Sequence, residues 1–249
     1  MYETLFFGTF KSKLKEEIEI TNNIYQEPVF ASYYEAIAQE NMNGDLDYYL
    51  TSFDENDRIL EIGTGNGRIL KPLLKQGIEI YGIEPEEEML TFLNEEEKSC
   101  VFVGGIEDIQ YFEHSEKYTH IIIPATSVSL FDEQFFSTFL KNAKQLLTSK
   151  GKILFDFLSP ECIAELHEKV SVEKINDQLF MSGNFVKEKQ FIYNIYTKTT
   201  VGERKLGYSI KNIYSVEQVN QLCETFGYTA HVLRCNKGYV MMEMVNNEI

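Results

Sequence analysis

One short stretch does most to limit what this chain can fold into. The apolar run Ile59-Leu60-Glu61-Ile62 breaks into Gly63-Thr64-Gly65-Asn66-Gly67-Arg68, with glycine at every second position, and a helix-like segment follows. The next strand-like run, Ile78 to Ile83, ends in the acidic Glu84. Gly63 and Gly65 permit backbone angles and a close approach that a Cβ would block. A strand that passes to a helix through such a turn, with an acid about twenty residues later, marks a place where a nucleoside-containing ligand meets the strand ends. A dinucleotide fingerprint needs its third glycine three residues after the second, for close helix–strand packing. Arg68 stands there, and the third glycine is Gly67. The spacing therefore displaces the dinucleotide reading from first place.

The same alternation continues to Phe157. Strands are predicted at 58–62, 79–83, 100–103, 119–124 and 151–157, with helices at 67–76, 86–95 and 132–147. In the last helix Phe135, Phe136, Phe139, Leu140, Ala143, Leu146 and Leu147 recur at helical spacing, the pattern of a core face. Crossovers this short imply a parallel, doubly wound sheet. Helices at 28–40 and 44–53, separated by Asn43-Gly44, would cap it. Residues 171–213 are rich in β-branched and aromatic types and predict three antiparallel strands, with turns at Ser182-Gly183-Asn184 and Val201-Gly202-Glu203. A helix over 215–226, N-capped by Ser215 and stopped by Gly227, precedes strands at 228–235 and 239–245 around Asn236-Lys237-Gly238.

The pattern Glu61-x-Gly63-x-Gly65-x-Gly67, with Glu84 ending the second strand and Pro124-Ala125-Thr126-Ser127 ending the fourth, resembles the class I S-adenosylmethionine-dependent methyltransferases of the small-molecule type. The resemblance implies a Rossmann-like seven-stranded sheet in a single 1–249 domain. The resemblance covers about 57–160 and, loosely, 215–245. The residue pattern itself divides the domain into a helical cap at 1–54, a core at 55–160 and 214–249, and an inserted antiparallel lid at 161–213. The implied cofactor is S-adenosylmethionine, with S-adenosylhomocysteine as product and no metal. Gly63, Thr64, Gly65 and Gly67 would form the turn around it, with Tyr25 reaching in from the cap. Glu61 would orient the cofactor's amino group, or else cap nearby backbone amides. Arg68 would meet the methionine carboxylate or pair with a local acid. Glu84 would accept hydrogen bonds from both ribose hydroxyls, and Pro85 and Met89 would contact the nucleoside. The family often carries Asp where this chain has Gly105, which leaves Ile106 and Glu107 to cover the adenine or bond its amino group. Pro124 and Ala125 would lie beside the sulfonium.

Composition narrows the acceptor. The 39 acidic residues against 23 basic ones give a formal charge of −16, and no basic run exceeds a scattered pair. Nucleic-acid binding draws most of its affinity from basic patches, so no nucleic-acid partner is expected. The Asn/Asp-Pro-Pro-aromatic segment of base-amino methyltransferases is also missing after the fourth strand. A small-molecule amine or hydroxyl remains, in secondary metabolism. Acceptor-site candidates are Tyr33, Tyr34, Ser127 and Asp156, with Tyr25, Ser129, Tyr193 and Tyr208 behind them. The histidines offer less: His114 before the fourth strand and His120 at its start lie at the wrong end of the sheet, His231 lies in a late strand, and only His167 could face the site. Cys100, Cys162, Cys223 and Cys235 show no metal-ligand spacing and read as reduced thiols of a cytoplasmic protein. The run Leu5-Phe6-Phe7 is too short for a signal peptide or membrane span. A monomer or homodimer is expected. Two alternatives stay open, an NAD(P)-dependent oxidoreductase and a non-catalytic S-adenosylmethionine-binding protein.

Overall fold

The computed structural model describes residues 2–38, 44–111 and 117–247. The chain opens with α1 (Gly8–Lys13), β1 (Glu19–Thr21), α2 (Pro28–Ala38) and α3 (Asp45–Ser52). The alternating core follows as β2 (Arg58–Ile62), α4 (Leu70–Lys75), β3 (Glu79–Glu84), α5 (Glu87–Leu90), α6 (Glu95–Ser99) and β4 (Val101–Val103). Next come β5 (Tyr118–Ile123), α7 (Glu133–Leu146), β6 (Leu147–Leu158) and α8 (Pro160–Leu166). Strands β7 (Val170–Ile175), β8 (Gln178–Lys187), β9 (Gln190–Lys198) and β10 (Arg204–Asn212) are consecutive. The chain then returns to the core through α9 (Val216–Thr225), β11 (Tyr228–Asn236) and β12 (Tyr239–Asn246).

Seven strands form the central sheet in the order β11-β12-β6-β5-β2-β3-β4. Pairing is parallel from β6 to β4, and β12 enters antiparallel between β6 and β11. Parallel strands covered on both faces read as continuous apolar runs. In β5, Ile121 and Ile123 face the cluster built on Phe136, Phe139 and Leu140 of α7, while Ile122 joins Ile59, Leu70 and Leu73 on the other face. Asp132 caps α7 by accepting the Phe135 N–H at 2.7 Å, and a Ser215–Gln218 capping box opens α9.

Local chemistry shortened two of the expected helices. Gly67 sits at φ 78°, outside the right-handed helical region, so α4 begins only at Leu70. The 86–95 helix breaks because Asn94 starts a new one, its side chain and that of Glu97 forming a capping box. The 28–40 helix is described only as far as Ala38, and His114 falls outside the described residues.

The second sheet differs more. It has five strands, β1-β10-β9-β8-β7, rather than three. The expected cap is therefore not wholly helical: β1 pairs in parallel with β10, setting Thr21 opposite Gly207. Ser182-Gly183-Asn184 lies within β8 and is not a turn. A Cβ on Gly183 would come within 2.6 Å of the Lys169 carbonyl and 3.0 Å of Phe7, so this glycine admits close packing. The reversal between β7 and β8 falls at Asn176-Asp177, both with positive φ (49° and 65°), as a tight hairpin turn requires.

The N-terminal segment clasps this sheet from both sides. Phe6, Phe7 and Phe10 pack with Ile192 and Leu206 on one face, and Ile24, Phe30 and Tyr33 pack with Phe180 and Ile195 on the other. Lys205 anchors the passage, 3.2 Å from Glu19 and 2.8 Å from Glu27. Among the described residues no helix is long and apolar enough to cross a membrane.

A Cβ on Gly207 would lie 2.6 Å from Ile24 and 2.8 Å from Phe30. Gly207→Val is expected to destabilise the protein by about 1–3 kcal/mol, the usual cost of overpacking. Urea denaturation checks the loss, and limited proteolysis checks that residues 2–30 are the first to be released.

Candidate active site

The parallel pair β2 and β3 ends in a turn held by backbone geometry and one acid. The Gly63 N–H donates to the Ile83 carbonyl at 2.8 Å, and the Gly65 N–H donates to Glu84 Oε2 at 2.7 Å. Gly63 and Gly65 adopt φ of 75° and 57°, where a side chain is strained. Gly67 has another purpose. A Cβ there would meet Leu93 at 2.5 Å, so it makes room for packing and does not border the cavity that the turn helps to form. Gly82 was not singled out in the sequence. A Cβ on it would come within 2.1 Å of the Thr64 hydroxyl, and its absence lets Thr64 tuck against β3.

That cavity has a volume of about 1090 Å³. Glu61, Gly63, Thr64, Gly65 and Arg68 border it from the turn, and Glu84, Pro85 and Met89 from the end of β3. Gly105, Ile106 and Glu107 follow β4, and Pro124, Ala125 and Ser127 follow β5. Tyr25, Tyr33 and Tyr34 of the N-terminal segment border it too, Tyr25 near enough to Glu84 to feel its charge. The expected cofactor and acceptor residues are thus brought to one space, except Gly67, Ser129 and Asp156.

Asp156 is fully buried and lies behind the wall. It accepts the Thr126 N–H at 2.5 Å and faces the Tyr49 hydroxyl at 3.4 Å. Ala125 and Thr126 both occupy the left-handed region (φ 58° and 59°), a conformation that costs non-glycine residues about 1–3 kcal/mol each. Asp156 holds this strained turn in place, which corrects its expected contact with the acceptor. Burial pushes its carboxyl up to about 7.

Two further acids are buried in the cofactor half. Glu61 is 1% exposed; desolvation, opposed by the Arg68 charge, pushes its carboxyl up to about 8. Glu61 Oε2 has no hydrogen-bond partner. Glu84 is pushed up to about 7 by burial, although both its oxygens accept backbone N–H groups, from Gly65 and, at 3.0 Å, from Glu86. Arg68 forms a two-pronged pair with Asp45, its Nη1 lying 3.1 Å from Oδ1 and its Nη2 on Oδ2. Of its two readings, the structure takes the local acid.

Residues 59–151 match a family model described as a methyltransferase domain. The matched stretch is the part of the chain that carries the glycine turn, Glu84 and the end of β5. Among curated protein sequences none matches the chain. The fold is similar to that of an S-adenosylmethionine-dependent methyltransferase from Clostridium acetobutylicum, with 15% identity, TM-score 0.70, and 88% of this chain and 98% of that one covered. It is also similar to a sugar N-methyltransferase from a Streptoalloteichus species, with 13% identity, TM-score 0.72, and 94% and 98% covered. An amino pentose methyltransferase from Micromonospora echinaspora gives 12% identity, TM-score 0.68, and 91% and 99% covered.

The residues of this methyltransferase core suit S-adenosylmethionine. Glu61 offers an orphaned buried acceptor for an ammonium group. A carboxylate has about four acceptor positions, so Glu84 keeps capacity for ribose hydroxyls after its two backbone bonds. Gly105 lacks the family's carboxylate, yet a Cβ on it would collide with the Glu107 carboxyl at 2.2 Å. Glu107 therefore puts an acid into the space that a side chain at Gly105 would fill.

The other half of the cavity is aromatic. Tyr25 and Tyr34 have ring centroids 5.1 Å apart, Tyr33 and Tyr34 5.7 Å, and Tyr34 and Tyr193 6.5 Å. Burial raises all four phenol pKa values, keeping them neutral hydroxyls. Tyr33 donates to Glu173 Oε2 at 2.8 Å. Tyr208 packs edge-on against Phe6 at 5.6 Å, a core role, although it also reaches the cavity. Ser129 is buried outside the wall. His167 accepts the Val186 N–H at 2.9 Å, and His120 stands 3.1 Å from Asp57; neither these nor His231 borders the cavity. Glu173, Ser182, Asn184 and Lys211 do border it and were missed, because only strand register reveals which side chains share a sheet face.

Glu61→Gln keeps the side chain's shape and removes its charge. Cofactor affinity is expected to fall by about 1.5–3 kcal/mol, the value of a hydrogen bond to a charged group. Because burial raises the Glu61 pKa, the ionised form gains population as pH rises, so wild-type affinity climbs between pH 6 and 8 and the variant's climbs less. Titration calorimetry across that range checks both; an unchanged affinity refutes the role.

Proposed function

We propose that this chain transfers the methyl group of S-adenosylmethionine to the nitrogen of a small-molecule amine. The observation that carries this reading is the pairing, in one cavity, of the Glu61–Glu84 half with the tyrosine wall of Tyr25, Tyr33, Tyr34 and Tyr193. Aromatic faces attract cations, and phenol hydroxyls bond polar substituents, so such a wall suits an amine that carries hydroxyl groups. Glu173, beneath Tyr33, adds a negative charge at the same end. The −16 formal charge favours the approach of cationic acceptors. An amino pentose methyltransferase and a sugar N-methyltransferase share this fold, which supports the same reading.

A sulfonium is an activated donor, and displacement at its methyl proceeds in line. Holding nitrogen and methyl at near-attack distance supplies much of the acceleration. In this reading Glu61 and Glu84 fix the donor, Pro124 to Ser127 flank its sulfonium, and the tyrosines orient the acceptor. Residues 1–54 and 161–213 then act as the acceptor lid over the core of 55–160 and 214–249.

Incubation with deuterium-labelled S-adenosylmethionine and matched panels of amino and hydroxy sugars, read by mass spectrometry, tests the reading. Label is expected on amines. Label confined to hydroxyls overturns the nitrogen assignment, and no cofactor affinity alongside tight NAD(H) binding overturns the reaction class. Tyr34→Ala is expected to raise the acceptor KM by about 2- to 30-fold, from a cation–π contribution of roughly 0.5–2 kcal/mol, with cofactor affinity kept.

A further inference from the structure

An amine that arrives protonated has no lone pair with which to attack. Something must take its proton, and no histidine borders the cavity among the described residues. We infer that Lys211, as the neutral amine, is the base that deprotonates the acceptor's ammonium before methyl transfer. The inference rests on the amine-methylating reading of this cavity.

Register and anchoring place Lys211 there. Ser209 and Lys211 alternate along β10 and sit opposite Tyr193 and Phe191 of β9. All four border the cavity. The next residue, Asn212, donates from Nδ2 to the Phe131 carbonyl at 2.8 Å and the Ser129 carbonyl at 3.3 Å. These bonds tie the end of β10 to the Ser127–Phe131 segment that follows β5, which puts Lys211 on the side of the cavity where the sulfonium would lie.

The side chain is also left without a counter-ion. Its Nζ lies 5.9 Å from the centre of the Phe191 ring and makes no ion pair or hydrogen bond among the described residues. The charge acting on it is that of Asp156, behind the Thr126 turn, which favours the protonated form. Burial outweighs that and lowers the Lys211 pKa to about 8. Of the charged groups nearby, Asp156 alone acts on it. Lys187, Glu188 and Lys189 of the β8–β9 turn and Asp132 after Phe131 do not. Tyr193 is held neutral by burial, and Ser127, Val128, Ser129 and Leu130 carry no ionisable group. On the far side of β10, β1 pairs only with residues 205–207. A sulfonium in the same cavity adds a second positive charge and lowers the lysine pKa further.

The step balances. The Lys211 lone pair takes one N–H proton from the acceptor's ammonium, and the freed nitrogen lone pair forms the new N–C bond. The S–C bond breaks with its electron pair passing to sulfur, giving the thioether. The acceptor leaves as an N-methylated ammonium, and Lys211 later releases its proton to solvent.

The test is the pH dependence of kcat for the wild type, Lys211→Met and Lys211→Arg, at saturating concentrations of two amine acceptors of different basicity. Cofactor Kd, expected to be within twofold of wild type, shows that each variant is folded. Wild-type kcat is expected to rise with pH along a limb that stays put when the acceptor is changed. Lys211→Met is expected to lose about 10²- to 10⁴-fold in kcat, the usual range for a general base, and to show a limb that follows the acceptor's own pKa. Lys211→Arg is expected to be equally slow, because a guanidinium does not deprotonate. An arginine variant that keeps the wild-type rate and limb overturns the inference, as does a methionine variant altered only in KM. Wild-type protein that binds S-adenosylmethionine but methylates no amine overturns the proposed function along with it.

Discussion

The contact on which the rest of this structure depends is the one between Glu84 and the Gly65 amide. It joins the carboxyl end of β3 to the turn leaving β2, and the second oxygen of the same carboxylate holds the Glu86 amide. One side chain thereby fixes two loops at the place where parallel strands end together. Everything bordering the cofactor half inherits its position from that junction: Gly63 and Thr64 through the Ile83 carbonyl, and Pro85 and Met89 through the start of α5. The other strand ends add walls to a geometry that this bond has already set.

A second theme is the placing of acids where water is scarce. Glu61, Glu84 and Asp156 are each pushed toward neutrality by burial, yet they differ in what offsets that cost. Asp156 and Glu84 recover it from backbone amides, and in doing so stabilise a strained turn and a glycine turn respectively. Glu61 is offset in part by the Arg68 charge, and its Oε2 has no hydrogen-bond partner within the protein. An unpaired buried acceptor opposes folding and rewards binding, so the site keeps part of its stability in reserve for its ligand.

What could be read from the sequence was local. The glycine turn, Glu84, the Ser215 cap and the α7 core face carry their chemistry within a few residues, and all were legible. Failures came where the reason for a residue lies far along the chain. Gly67 was counted with the cofactor because its true neighbour, Leu93, belongs to another loop. Gly183 reads as a turn in the sequence because the phenylalanines that need its missing side chain are in α1 and just before it. Asp156 was placed at the acceptor because its strand end is right and its orientation is not visible in a sequence. Glu173 and Lys211 went unmarked, since each is an ordinary charged residue until register sets it on the cavity face.

The parallel pairing of β1 with β10 bears on how the protein is made. Strands β3 to β6 can each pair with a strand already synthesised: β3 with β2, β4 with β3, β5 back on β2, and β6 on β5. Glu19 to Thr21 must wait for residues 205–207, and Phe6, Phe7 and Phe10 wait for Ile192 and Leu206. During synthesis the first thirty or so residues therefore carry exposed aromatic rings with no surface to bury them, the condition in which nascent chains aggregate. The half of the cavity that faces the acceptor accordingly closes only after residues 205–207 have emerged.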